Sequence, residues 1–287
     1  MRSLAVLLVL LVASSSTGAT SDLARGDAAW MRRADGQTGE RALAGPVGEA
    51  IEAYQASATT AGATLESHWK LVRALWWSSE FTTTDVATRR ALLDRGRGAS
   101  ERALALVAER FGGARAVETA APDELRAQIP AADAADVSRI YFWSAITLGA
   151  WSRTVGLITA VRAGVANRLH AYALRTIALD PTVDGGGAFR LLSRLHAELP
   201  RVPLLSGWVD RSEALPLAER GYAVDPEHPG NPYVLGLALL DLGGDRRAEG
   251  LRLVERTATF EPRPSELVED MAVRRDARAR LALERGR

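Results

Sequence analysis

The chain of 287 residues contains no cysteine. That absence excludes disulfides, thiol catalysis, cysteine-ligated metal and a cysteine-linked lipid anchor. Histidine is scarce: His68, His170, His196 and His228 are the only four. None lies in an HExxH pattern, and the interval from His170 to His196 fits no compact metal motif, so neither a metal site nor a cofactor is expected. His228, in a proline-rich turn, reads as solvated. Charge of one sign is missing as well. Thirty-six basic and 35 acidic residues leave a net charge of +1 without a basic run, which argues against nucleic acid as a partner. There is no GxSxG elbow and no stretch with the two-residue alternation of a half-buried strand. With no nucleophile–base pair and no metal set, and with carboxylates read as lying mainly on polar helix faces, catalytic residues are not expected.

What is present begins with the N-terminus. Arg2 supplies a positive charge, Leu4 to Val12 is an unbroken apolar run, and small residues follow, with Thr17 and Ala19 at the −3 and −1 positions of a cleavage site. This layout predicts a secretory signal peptide over residues 1–20, and hence a periplasmic or secreted mature protein. The run is too short to span a bilayer as a helix. A second apolar stretch, Ile140–Val161, is interrupted by Arg153 and flanked by Arg139 and Arg162, so it reads as a buried helix and no transmembrane span is expected.

Helical periodicity then dominates. Val47, Ile51 and Tyr54 share one face, as do Trp69, Val72 and Trp76. Asp85 is placed to cap the helix that follows it. Gly96 and Gly98 inside that helix mark a bend or a close crossing. Three segments, "YALRTIALDPT", "AERGYAVDPEH" and "VERTATFEPRP", each close a helix with an acidic residue and a proline; Pro181, Pro226 and Pro262 lie 45 and 36 residues apart. A tetratricopeptide unit of about 34 residues ends its second helix this way, so these units carry insertions. In the last unit Asn231 reads as N-cap, Pro232 as first helical residue, Gly236 as the point of approach of the partner helix, and Asp245 as the next cap. In the unit before it, Asp210 and Glu213 have capping-box spacing, and Pro216 kinks the second helix or delays its start. The predicted fold is all-α: tetratricopeptide-like antiparallel helix pairs in an α–α superhelix. Residues 21–111 form an N-terminal helical region, 112–135 a connector with a short helix near Asp123–Gln128, 136–265 the C-terminal repeats, and 266–287 a polar helix or tail.

Two features bear on function. Asp184-Gly185-Gly186-Gly187 falls between two repeats. It is preceded by a helix and followed by Ala188-Phe189-Arg190, not by Lys-Ser/Thr, so it reads as a turn and not a phosphate loop. The seven tryptophans are the other. Adjacent helical residues point about 100° apart, so of Trp76-Trp77 one side chain can enter the core while the other faces a groove. Trp143 and Trp151, eight residues apart, are read as sharing a face, and Trp208 as partly exposed. Core packing is one reading of these rings; the other is that Trp143, Trp151 and Trp208 border an apolar ligand cavity between the two halves of the chain.

The series "LVRALWW", "ALLDRGRGASERALALVAERF", "ADVSRIYFWSAITLGAWS", "LRTIALDPTVDGGGAFRLLSRLHAELP" and "GWVDRSEALPLAERGYAVDPEHPGNPYVLGLALLDLG" resembles the TatT family. This is the tetratricopeptide-type periplasmic component associated with TRAP transporters. The likeness covers about residues 45–262. It implies a repeat-built binding protein that docks a periplasmic solute-binding protein, forms a homo-oligomer (a trimer), and passes a hydrophobic ligand, such as an organic acid, through a pore. The other reading is a tetratricopeptide scaffold for envelope proteins, without a ligand.

Overall fold

The computed structural model describes residues 14–113, 121–203 and 205–286, with side chains from residue 21 onward. The apolar run Leu4 to Val12 lies outside the described residues. Thirteen α-helices and no strand occur among the described residues. They are α1 (Ser14–Met31), α2 (Ala44–Ala58), α3 (Leu65–Phe81), α4 (Val86–Arg110), α5 (Pro122–Gln128), α6 (Ala131–Val155), α7 (Leu157–Arg162), α8 (Val165–Leu179), α9 (Gly187–Glu198), α10 (Ala214–Val224), α11 (Gly230–Leu242), α12 (Arg247–Thr259) and α13 (Leu267–Arg285). Among the described residues, no helix is long and apolar enough to cross a membrane. The fold is an all-α helical repeat. Helices pack as successive pairs: α1 on α2, α3 on α4, α6 on α8, α9 on α10, and α11 on α12. Short links make such neighbours antiparallel.

Local chemistry sets the helix ends. Asp85 accepts the Thr88 N–H and caps α4, and Thr64 with Ser67 closes a capping box on α3. The repeated Asp-Pro endings share one device. Asp180 accepts the Thr182 N–H, and Asp225 accepts those of Glu227 and His228, so each carboxylate turns the chain as its helix stops. Pro216 delays a helix, since α10 starts at Ala214 with a short 3-10 turn, Arg211–Glu213, before it. Three expectations shift. Asp210 caps that 3-10 turn through Ser212, without the predicted capping box. Asp245 caps nothing, because a second 3-10 turn, Gly244–Arg246, leads into α12. Asn231 lies inside α11, buried, with its amide bonded to Gly185 O and Asp225 O; it ties the two turns together. The connector is packed. Leu125 and Ile129 join Ala103, Val107 and Val137 in one cluster, and α6 already begins at Ala131. The apolar stretch Ile140–Val161 breaks at Gly156, beyond which Leu157 and Ile158 are exposed.

Two glycine placements shape the crossings. A Cβ on Gly236 would lie 3.0 Å from Gly250 O, and one on Gly250 would lie 2.9 Å from Gly236 O, so α11 and α12 meet backbone to backbone. In the turn before α9, Asp184, Gly185 and Gly186 take φ of 52°, 56° and 84°. Arg190 donates to Gly185 O and Asp184 O, so the turn's carbonyls are met from within. Gly186→Val is expected to destabilise by more than about 1 kcal/mol in denaturant melts, because a Cβ there meets Gly221 O at 3.2 Å in a left-handed backbone. Nucleotide should leave the melting temperature unchanged; tight ATP binding lost in this variant would instead make the turn a phosphate loop.

The last helix returns to the first. Val268 of α13 is buried in the same cluster as Trp30, Ile51, Val72 and Trp77. Arg33, just after α1, donates to Glu269 at 2.9 Å, to Glu266 at 2.8 Å and to the Ser265 carbonyl. The chain of helix pairs thereby closes into a ring.

Candidate functional site: an amphipathic cavity

Closure encircles a cavity of about 640 Å³. Its walls come from α3, α6, the 184–187 turn, α9, α11 and α13. One side is aromatic, built by Trp30, Trp76, Trp77, Phe81, Phe142 and Trp143. The rings brace each other: Trp76 lies 5.3 Å from Trp143, Phe142 5.0 Å from Trp143, and Trp30 6.0 Å from Trp77. Trp77 is buried to 1% exposure while Trp76 keeps a partly open ring, as their 100° offset requires.

The other side is charged. Most of these charges are matched. Arg190 pairs with Asp184 at 2.5 Å, and Arg263 holds Asp270 through two bonds of 2.8 Å. Arg33 and the Trp77 indole N–H converge on Glu269 Oε1, at 2.9 and 2.6 Å. Arg73 is different. Its guanidinium stacks on Trp30 at 3.9 Å and on Trp69 at 4.8 Å, and its Nε is buried without an acceptor. Among the described residues no carboxylate comes within ion-pair distance of it. Burial pulls its pKa down to about 10, and the nearby Arg33 adds to the effect. Tyr54 and Glu266 act in the opposite sense, so Arg73 is a cation held by ring faces and a phenol with no carboxylate in ion-pair contact.

His228 is on the same wall, contrary to the solvated position expected of it. Burial, with Arg190 and Arg263 nearby, pushes its pKa down to about 2. Asp184 is pushed upward by burial.

The three tryptophans singled out in the sequence separate. Trp143 lines the cavity. Trp151 does not: it is buried against α4, its indole N–H on Asp94 at 2.8 Å and Arg97 stacked on it at 4.0 Å. Eight residues at 100° each leave the two rings about 80° apart, so they do not share a face. Trp208 also lies elsewhere. It stacks on His170 at 4.0 Å, with His196 edge-on at 5.4 Å, and bonds Asn167 at 2.8 Å. The ring pins residues 205–210 onto α8 and α9; burial and His196 pull the His170 pKa down to about 4. Among the described residues no group of three His, Asp or Glu side chains is placed to hold a metal ion.

Arg33, Arg73, Glu266 and Glu269 went unnoticed in the sequence, where each reads as one charge on a polar helix face. The Trp76-Trp77 pair was the legible signal.

The geometry defines an all-α helical-repeat protein closed around an amphipathic cavity. No known family model matches the chain, and no curated protein matches it.

Proposed function

We propose that the protein is an exported helical-repeat binding protein, TatT-like. It carries a hydrophobic organic acid in its cavity and docks a periplasmic solute-binding protein in TRAP-type transport. One observation carries this reading: the rings that could hold an acyl or aryl tail line one cavity with Arg73, a cation without a carboxylate in ion-pair contact. A monocarboxylate complements both, placing its tail on Trp76 and Trp143 and its anion at Arg73. Export rests on the N-terminal run, and the partner and a trimeric assembly on the resemblance described above.

The test is Arg73→Met. The methionine keeps the stem on the tryptophans and removes the charge. Stability should stay within about 1 kcal/mol of wild type, because losing a partly buried cation that no carboxylate pairs offsets the lost stacking. Quenching of tryptophan fluorescence by octanoate should fall at least about tenfold in affinity, the loss of one charged hydrogen bond. Equal octanoate binding in both proteins, or none in wild type, would leave a ligand-free envelope scaffold as the better account. Capture of a solute-binding protein from periplasmic extract tests the docking role separately.

A further inference from the structure

We propose that α7 is a membrane-contact tip. Leu157, Ile158 and Val161 enter the headgroup–acyl boundary of a bilayer, and Arg153 and Arg162 meet the phosphates of its anionic lipids. This goes beyond the carboxylate reading of the cavity and does not rest on it.

α7 is the corner between the paired helices α6 and α8. Gly156 and Gly164, with φ of 80° and 62°, set it off from both. None of its residues is buried. Leu157 is 79% exposed, Ile158 70% and Val161 44%, while the helices on either side bury Trp151, Val165 and Leu169. Spacings of four and three put Val161 on the face of Leu157 and Ile158. A link kept only for its geometry gains nothing from three large apolar side chains in water. The charge around them has one sign. From Val137 to Leu179 there is no aspartate or glutamate, whereas Arg139, Arg153, Arg162, Arg168 and Arg175 occur. Arg162 is exposed and has no carboxylate partner among the described residues. Glu80 and Asp94 reach the end of α6, where they accept from Arg153 and from the Trp151 indole. Arg89 also holds Glu80, at 2.6 Å, and Arg90 lies 3.8 Å from Asp94, so arginine stays in excess. Apolar points among surplus cations fit the interface of an anionic bilayer. A protein partner needs a broader face: a stable interface takes about 20–30 residues a side, and α7 has 6.

The chain has no cysteine, so a cysteine introduced by substitution takes a single label. The experiment places the environment-sensitive fluorophore NBD on Ile158→Cys and, in a separate protein, on Leu242→Cys, a position 63% exposed on α11. The mature protein is used, with the loss of residues 1–20 checked by mass spectrometry, because Leu4–Val12 would itself bind lipid. The vesicles are phosphatidylcholine alone, or phosphatidylcholine with about one-third phosphatidylglycerol. On the mixed vesicles NBD should brighten at least about threefold at position 158 and stay unchanged at position 242. Affinity for the mixed vesicles should exceed that for phosphatidylcholine alone by at least about tenfold. In the Ile158→Cys protein, adding Leu157→Ser or Arg162→Gln should weaken binding about fivefold each. Both side chains are exposed, so neither change should alter the melting temperature. No brightening at position 158, equal brightening at both positions, or equal affinity for the two kinds of vesicle overturns the proposal. Brightening at position 158 by a solute-binding protein, with none on either vesicle, overturns it in favour of protein docking.

Discussion

Arg33→Ala should cost about 3 kcal/mol of stability at pH 8, the lower end of the range for stripping a buried charge of its partner. The Arg33 side chain is 4% exposed and serves four acceptors: Glu269, Glu266, the Ser265 carbonyl and, at 3.4 Å, the Trp30 carbonyl. It also stacks on Trp30 at 4.4 Å. Alanine removes the contact that fastens the last helix to the first and leaves two glutamates together without the cation that bonds them both. Without Arg33, which holds the Glu266 pKa down, that carboxyl group becomes easier to protonate, and once neutral it no longer repels Glu269. The loss should therefore shrink as pH falls from 8 to 5, as read in urea melts. A loss under 1 kcal/mol, or one independent of pH, would mean that ring closure does not depend on this contact.

Trp77→Ala should cost about 3–5 kcal/mol, as for other fully packed tryptophans. The indole is 1% exposed, sits 6.0 Å from Trp30 and 5.2 Å from Phe81, and donates to Glu269 at 2.6 Å. Its removal opens a void in the N-terminal core and strips a donor from the charged wall. Trp151→Ala belongs with it, since that ring is packed and hydrogen-bonded too. Trp143→Ala should cost clearly less, because that ring has cavity on one side, and it should weaken octanoate binding. If Trp143→Ala proved as costly as Trp77→Ala and left octanoate binding intact, Trp143 would be a core residue and nothing more.

Local features were legible in the sequence because local chemistry decides them. Helix periodicity, the Asp85 cap, the Asp-Pro endings and the Gly236 crossing each depend on residues within a few positions, and each is found where it was read. The 184–187 turn was legible for the same reason. The cavity was legible only in its aromatic half, through Trp143 and the Trp76-Trp77 pair. Its charged half depends on ring closure, which brings Arg33 to Glu266 and Glu269 across more than 230 residues. No periodic pattern encodes that meeting. Each of these charges, taken alone, has the spacing of a solvated helix face. Trp151 was misplaced because eight residues are not a whole number of helical turns. Trp208 was misplaced because its partners, His170 and His196, come from two other helices.

The most direct measurement is a crystal structure of the protein grown with 8-bromooctanoate at pH 6, with anomalous data at the bromine edge. The account predicts one strong bromine peak inside the cavity, against Trp76 and Trp143, with the carboxylate on Arg73. Bromine only at the protein surface, or a carboxylate seated away from Arg73, would contradict it.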